Sequence, residues 1–317
     1  MINLNDIKLA YQKVKNFAHV TPVLSSSRIN QIIGAEIYFK AENFQKVGAF
    51  KFRGAINALS IIKESTEIKE VVTHSSGNHA QALALASKLL GLKAYIVMPE
   101  NSPEVKINAV KEYGGKIIFC KPTLQSREDT AQKVIVQTGA EFIHPYNDYR
   151  IIAGQGTCAL EALSQINFTP DFVITPVGGG GLLSGTAITV KETNKNIKVI
   201  GAEPKNADDA NKSFKAGYII PQTNPNTIAD GLRTSLGNKT FDIIKNYVDD
   251  ILLCSEKSII DAMLLIYESL KIVIEPSAAV PLATIIENNE HFKGYKVLII
   301  LSGGNIDIKN FKWFAET

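Results

Sequence analysis

Asp171-Phe172-Val173-Ile174-Thr175-Pro176-Val177 runs directly into Gly178-Gly179-Gly180-Gly181-Leu182-Leu183. The first seven residues read as a buried strand, and a helix is expected from about Leu183. A glycine run between a strand and a helix is the right context for binding an anion. Glycines let the backbone approach closely, and the amides converge on a phosphate. A helix dipole contributes about 0.3–1 kcal/mol, whereas hydrogen bonds to a charged group contribute roughly 1.5–3 kcal/mol each. Several free amides therefore dominate. The run lacks the Lys-Ser/Thr of a P-loop, and read as G-x-G-x-x-G it fails at Leu183. A plain flexible turn is the simpler alternative.

The same strand–turn–helix pattern repeats outward. Val71–Thr73 leads through Ser75-Ser76-Gly77-Asn78 into a helix that Gly91 should stop. Strands are expected at Ala94–Met98, Lys116–Cys120, Glu141–His144, Lys198–Ala202, Ile251–Leu253 and Val297–Leu301. Helices are expected to start at Pro103 and to span Arg127–Gln137, Ile152–Ser164, Glu256–Lys271 and Ser277–Glu287. Apolar strands separated by helices predict an α/β fold with parallel sheets covered on both faces. Two βα blocks, roughly 70–147 and 165–317, suggest two lobes, and the Gly- and Ser-rich turns fall at the carboxyl ends of strands, where ligands bind.

Composition narrows the function classes. The 317 residues are 45% apolar and 21% charged with a net charge of +3, which gives no reason to expect nucleic acid or an anionic membrane as partner. The run Lys191 to Lys198 reads as a solvated helix end. Cys120, Cys158 and Cys254 are scattered and odd in number, which favours small buried hydrophobes in a reducing compartment over a zinc site. Met1–Phe17 has the pattern of an amphipathic helix, not a signal peptide. No apolar run approaches ~18 residues, so a cytoplasmic protein is expected.

Two more segments carry chemistry. In Asn43-Phe44-Gln45-Lys46-Val47-Gly48-Ala49-Phe50-Lys51-Phe52-Arg53-Gly54, Lys51 sits between two phenylalanines. Desolvation there would lower its pKa and free the amine for imine formation. Taken alone, the apolar/charged alternation means an exposed face and a surface lysine. In Thr73-His74-Ser75-Ser76-Gly77-Asn78-His79-Ala80, an N-cap explains one residue but not five polar or glycine residues in a row; helix-start amides with Ser and Asn side chains would also bind a carboxylate.

Phe-Lys-Phe-Arg-Gly, Ser-Ser-Gly-Asn-His, Gly-Gly-Gly-Gly-Leu and Leu-Ser-Gly-Gly-Asn occur in this order. The ordered set, over almost the whole chain, resembles the fold-type II pyridoxal-phosphate (PLP) enzymes, in particular the serine racemase and serine/threonine dehydratase family. The resemblance implies a two-lobed fold related to the tryptophan synthase β subunit, with a large PLP-binding domain at 1–65 and 150–317 and a small mobile domain at 66–149. The chain would lack the regulatory extension of biosynthetic threonine dehydratases. Lys51 would hold PLP as a Schiff base, and Gly178, Gly179, Gly180, Gly181 and Leu182 would hold the phosphate. Asn78 would contact the ring hydroxyl, Phe50 would lie near the ring, and Ser302 would bond the pyridine nitrogen. Ser75, Ser76, Gly77 and His79 would bind the substrate carboxylate, with Arg127 and Thr234 nearby, and Ser76 would be the acid/base opposite Lys51. Glu203, the Ala207 carbonyl and Asp209 would hold Mg²⁺, Ca²⁺ or Mn²⁺, hard ions suited to oxygen ligands; acids at a helix N-terminus would equally suit the dipole.

The implied activity is serine racemisation with α,β-elimination to pyruvate and ammonia, by a homodimer. The alternative is an L-threonine/L-serine or 3-hydroxyaspartate dehydratase without significant racemisation. The Ser-Ser-Gly-Asn-His loop argues against the β-replacement chemistry of cysteine synthases, and an intact Lys51 against a catalytically silent interaction protein. Asp230-Gly231-Leu232-Arg233-Thr234-Ser235 and Pro122–Glu128 are racemase-like. His144-Pro145-Tyr146-Asn147-Asp148 matches neither branch, since animal racemases carry Asn, and threonine dehydratases Phe, in place of Tyr146. ATP, an activator of animal racemases, would lie near Ser26, Ser27, Lys46 and Val47, where Arg28 and Val47 depart from the animal pattern.

Overall fold

The structure is a computed structural model that describes residues 1–307; the last residues of the expected large domain, 308–317, lie outside the described residues. Ten strands form two sheets among the described residues. They are β1 (Val23–Ser25), β2 (Glu36–Ala41), β3 (Glu70–His74), β4 (Lys93–Pro99), β5 (Lys116–Cys120), β6 (Glu141–Phe142), β7 (Phe172–Pro176), β8 (Lys198–Pro204), β9 (Asp250–Cys254) and β10 (Lys296–Leu301). One sheet has the order β1-β2-β10-β7-β8-β9, the other β5-β4-β3-β6. All pairs are parallel except β1–β2, an antiparallel edge that the sequence pattern did not show. Val297 to Leu301 of β10 are fully buried, which is why that strand reads as an unbroken apolar run.

The expected α/β architecture with helices on parallel sheets is observed. Gly91 ends its helix at φ 72°, in the left-handed conformation a glycine accepts at no steric cost. Pro103 is the residue before the helix Glu104–Glu112 rather than its first residue. The expected strand Glu141–His144 stops at Phe142, because the His144 ring caps a turn instead. The three cysteines are free and buried. Lys191 and Lys198 both pair with Asp249, so the basic run is a neutralised helix end. No described helix is long and apolar enough to cross a membrane.

The Phe50–Arg53 alternation is not an exposed strand. Lys51 opens the helix Lys51–Ser65, whose first turn is enclosed on all sides. Arg53 is fully buried and makes two bidentate ion pairs. Its Nε and Nη2 donate to Glu42 at 2.7 and 2.8 Å, and its Nη1 and Nη2 donate to Glu161 at 3.2 and 2.8 Å. Lys40, also buried, donates to Glu161 at 2.5 Å, to Gln165 at 2.8 Å and to the Thr21 carbonyl at 2.7 Å. Two cations thus face two carboxylates with every group hydrogen-bonded, the condition under which buried charge is tolerated. Beside the cluster, the helix Tyr149–Gln165 presses on the Lys51 helix. A Cβ on Gly154 would lie 2.6 Å from the Arg53 carbonyl oxygen and from the Gly54 Cα.

Arg53→Met should cost about 3–5 kcal/mol, because Glu42 and Glu161 would then share one cation. Urea unfolding followed by circular dichroism checks this; a loss under about 1 kcal/mol would mean that the cluster relaxes around the gap.

Candidate active site

The Lys51 helix has no side-chain cap, and its first residue points its amine at the connection between the two sheets. Lys51 Nζ donates to the Pro145 carbonyl at 2.9 Å and lies 5.2 Å from the Phe50 ring centroid. Burial lowers its pKa to about 8, and the attraction of Glu275 only partly opposes this. Among the described residues, no carboxylate lies within ion-pair distance of the amine.

Three strands' ends converge on it. After β10, the Ser302 carbonyl accepts from the Phe50 amide at 3.0 Å, and Gly303 bridges Ala49. After β3 comes the half-buried Ser75–Asn78 loop, in which Ser75 Oγ accepts from the Gly77 amide at 3.3 Å. Asn78 opens the next helix and its Nδ2 donates to both carboxylate oxygens of Glu275, at 2.9 and 3.0 Å, while its oxygen accepts from Asn305 Nδ2 at 2.9 Å. Glu275 is 4% exposed and burial pushes its carboxyl up to about 7. His79 is buried; the Ile143 backbone lies near its ring, but neither ring nitrogen makes a hydrogen bond of ordinary geometry among the described residues, and burial with the nearby Lys51 charge holds its pKa well below the usual value.

After β7 lies the glycine run. Gly180 has φ 87°, and the helix Gly181–Thr193 starts with no side-chain cap. A Cβ on Gly179 would lie 2.3 Å from the Tyr146 ring, so that ring rests on the run itself. Thr240 Oγ1 donates to the Gly179 carbonyl at 2.9 Å and fixes the run from the other side. Thr234 Oγ1 is 3.4 Å from the position a Gly178 Cβ would take. Leu182 is buried in the first turn.

The structure therefore gathers Phe50, Lys51, Asn78, His79, the glycine run and Ser302 around the Pro145–Tyr146 link. The charge of Arg127 acts on His74, the residue before the Ser75–Asn78 loop, and on Cys120, and its buried Nε makes no hydrogen bond among the described residues. Lys106 joins the four-stranded block to the loop before Gly231 through Asp230, at 2.5 Å.

Glu203, Ala207 and Asp209 form a separate buried group after β8. Glu203 accepts from the Ala210 and Asn211 amides at 3.0 and 2.9 Å, yet burial pushes it up to about 9. Asp209 is pushed up to about 7 by burial; its own amide and that of Leu236 lie near, but neither carboxylate oxygen receives a hydrogen bond of ordinary geometry. Leu236 also packs on Gly180, so this group adjoins the far side of the glycine run.

Sequence reasoning gave no site role to Pro145, His144, Glu275 or Asn305, although Asn305 closes the Leu-Ser-Gly-Gly-Asn motif. The mismatch at His144–Asp148 was the one local signal; Glu275 is an acid before an apolar helix, a pattern that ordinarily means only a helix start.

The family described as "Pyridoxal-phosphate dependent enzyme" matches residues 14–303. A serine racemase of Dictyostelium discoideum is 49% identical over 315 residues, covering 98% of this chain and 96% of the relative. A β-hydroxyaspartate dehydratase of Paracoccus denitrificans is 47% identical over 308 residues, covering 97% and 98%. The crystal structure of the Dictyostelium discoideum serine racemase superposes with a TM-score of 0.92 at 49% identity, covering 97% of this chain and 99% of that one.

The Lys51 shift has a thermodynamic sign. Its folded pKa of about 8 lies below the ordinary 10.5, so the unfolded chain binds more protons between these values and stability rises with pH there. In the cofactor-free protein, Lys51→Met should remove that rise, measured by denaturant titrations at either end of the window; an unchanged pH slope would show that the amine is not desolvated.

Proposed function

The chain belongs to the pyridoxal-phosphate dependent enzyme family, and on that premise we propose that it interconverts L- and D-serine and also eliminates water from serine, giving pyruvate and ammonia. It is thus an isomerase and a lyase. The observation that carries the reading is the meeting of a half-buried, desolvated lysine amine with a tightly crowded glycine run that starts an uncapped helix. A phosphate-bearing aldehyde cofactor fits that pair: the amines and amides it needs are desolvated and unclaimed by carboxylates.

PLP, when bound, acts as an electron sink that makes the substrate α-proton acidic. In our reading Gly178, Gly179, Gly180, Gly181 and Leu182 bind its phosphate through backbone amides. Asn78 faces its hydroxyl, Phe50 its ring and Ser302 its ring nitrogen. A serine hydroxyl cannot keep that nitrogen protonated as an aspartate would, which suits loss of a β-hydroxyl. Lys51 holds the cofactor and, once released, takes or returns the α-proton at Nζ on one face; its lowered pKa puts it near the range of a working base. The Ser76 hydroxyl serves the opposite face. Ser75, Ser76, Gly77 and His79 hold the substrate carboxylate, with Arg127 and Thr234 nearby.

Glu203, the Ala207 carbonyl and Asp209 form the proposed Mg²⁺ site, for which Ca²⁺ or Mn²⁺ would substitute. The orphaned Asp209 oxygens beside a second buried carboxylate support it, since a divalent cation would supply the missing positive charge. A cytoplasmic homodimer, a small domain at 66–149 that moves against the remainder, and ATP near Ser26, Ser27, Lys46 and Val47 belong to the same reading. The likeness to a β-hydroxyaspartate dehydratase favours a second one, a dehydratase acting on 3-hydroxyaspartate, L-serine or L-threonine without significant racemisation.

Holoenzyme incubated with L-serine in D₂O should give pyruvate together with α-deuterated D-serine; pyruvate alone would leave the dehydratase reading standing. Ser76→Ala should lower racemisation roughly 100-fold while elimination falls much less, and equal losses would remove Ser76 from the second face. Mg²⁺ should raise the thermal midpoint of the native chain, and Asp209→Asn should abolish that gain; a gain unchanged in the variant would place the cation elsewhere.

A further inference from the structure

Lys51 Nζ meets one hydrogen-bond acceptor, the Pro145 carbonyl at 2.9 Å. That carbonyl belongs to the same planar peptide unit as the Tyr146 N–H. The unit is trans, so its C=O and N–H point in opposite directions. The Tyr146 N–H donates to His144 Nδ1 at 3.2 Å, and the following Asn147 N–H donates to the same nitrogen at 2.9 Å. Anchoring the N–H edge of the plane on His144 therefore aims its C=O edge at Lys51.

We propose that His144 is a positioning residue for Lys51, holding through Nδ1 the peptide plane whose carbonyl receives the Lys51 amine. This rests on the reading of Lys51 as the cofactor-bearing lysine. Proline contributes no N–H of its own to fix the turn, so the two amides that follow it are what the ring can hold. The ring is itself held by edge-on neighbours, Tyr146 at 4.5 Å and Phe142 at 6.0 Å between centroids, with His74 at 6.3 Å. Accepting two N–H groups requires Nδ1 to be unprotonated, which places the neutral ring's proton on Nε2. Burial supports the neutral form, holding this histidine down at about 4. In the enzyme the carbonyl gives the released amine a docking point each time it leaves the cofactor.

Asparagine and glutamine separate this role from general packing. Asparagine places an oxygen where Nδ1 stands, and can cap amides two and three residues on; glutamine places it where Nε2 stands. The apo-proteins of the wild type, His144→Asn and His144→Gln are mixed with PLP, and the growth of visible absorbance is timed. Hydride reduction and peptide mapping then locate the bound cofactor, and thermal midpoints are recorded beside the rates. His144→Asn should capture PLP within about twofold of the wild-type rate and His144→Gln about tenfold more slowly, as expected for one lost hydrogen bond to a charged amine, with both midpoints close together. Equal rates in the two variants, or rates that simply follow the midpoints, would overturn the role of His144. A wild-type protein that captures no PLP, or carries it on another lysine, would instead overturn the reading of Lys51 and this inference with it.

Discussion

One guanidinium decides where the chemistry of this chain can stand. Arg53 binds Glu42 and Glu161 with paired hydrogen bonds, and Lys40 completes a neutral group from which water is excluded. Because Arg53 lies in the first turn of its helix, this fixes that turn against both the end of β2 and the helix Tyr149–Gln165. Lys51 inherits that placement. Buried ion pairs seldom add net stability over apolar packing, but they penalise every arrangement in which a partner is missing. Here the penalty falls on any shift of the turn that carries the reactive amine.

The second consequence of that placement is electrostatic. The charges around Arg53 cancel one another locally, so among the described residues the Lys51 amine has no carboxylate in ion-pair contact and only the more distant Glu275 acts on it. Its single partner is a neutral carbonyl, and desolvation governs its acidity. A lysine with a lowered pKa beside amides that favour anions is a combination a stable fold would not assemble for its own sake. The cluster thus separates two tasks, fixing the backbone with full charges and leaving the amine nearly unpaired.

Much of the fold was legible, for a definite reason. Strands such as β10 and β7 are buried on both faces, so their continuous apolar runs were unambiguous, and Gly91 marked a helix end by a conformation few other residues adopt. The antiparallel edge β1 is three residues long and leaves no such trace. The Phe50–Arg53 alternation pointed the wrong way when taken alone, because one of the two carboxylates that hold Arg53 in the core, Glu161, lies 108 residues away. His144 was assigned to a strand for the same kind of reason: nothing local reveals that its ring will outcompete a neighbouring strand for two amides. The ordered motifs compensated for part of this. They pointed to Lys51, Asn78 and the glycine run, while Glu275, Asn305 and Pro145, which touch them through side chains or a single carbonyl, were visible only in three dimensions.

Asn78 shows how narrow the chemical tolerance of such a site becomes. Its nitrogen donates to one buried carboxylate, and its oxygen is claimed by Asn305. The orientation of the group is therefore fixed, with donor and acceptor ends on opposite sides. Spontaneous deamidation, which exchanges NH₂ for oxygen at no change in size, would set a second carboxylate against Glu275 where two hydrogen bonds had been. Ageing at this one atom would act on the protein as a mutation, without any change in its gene.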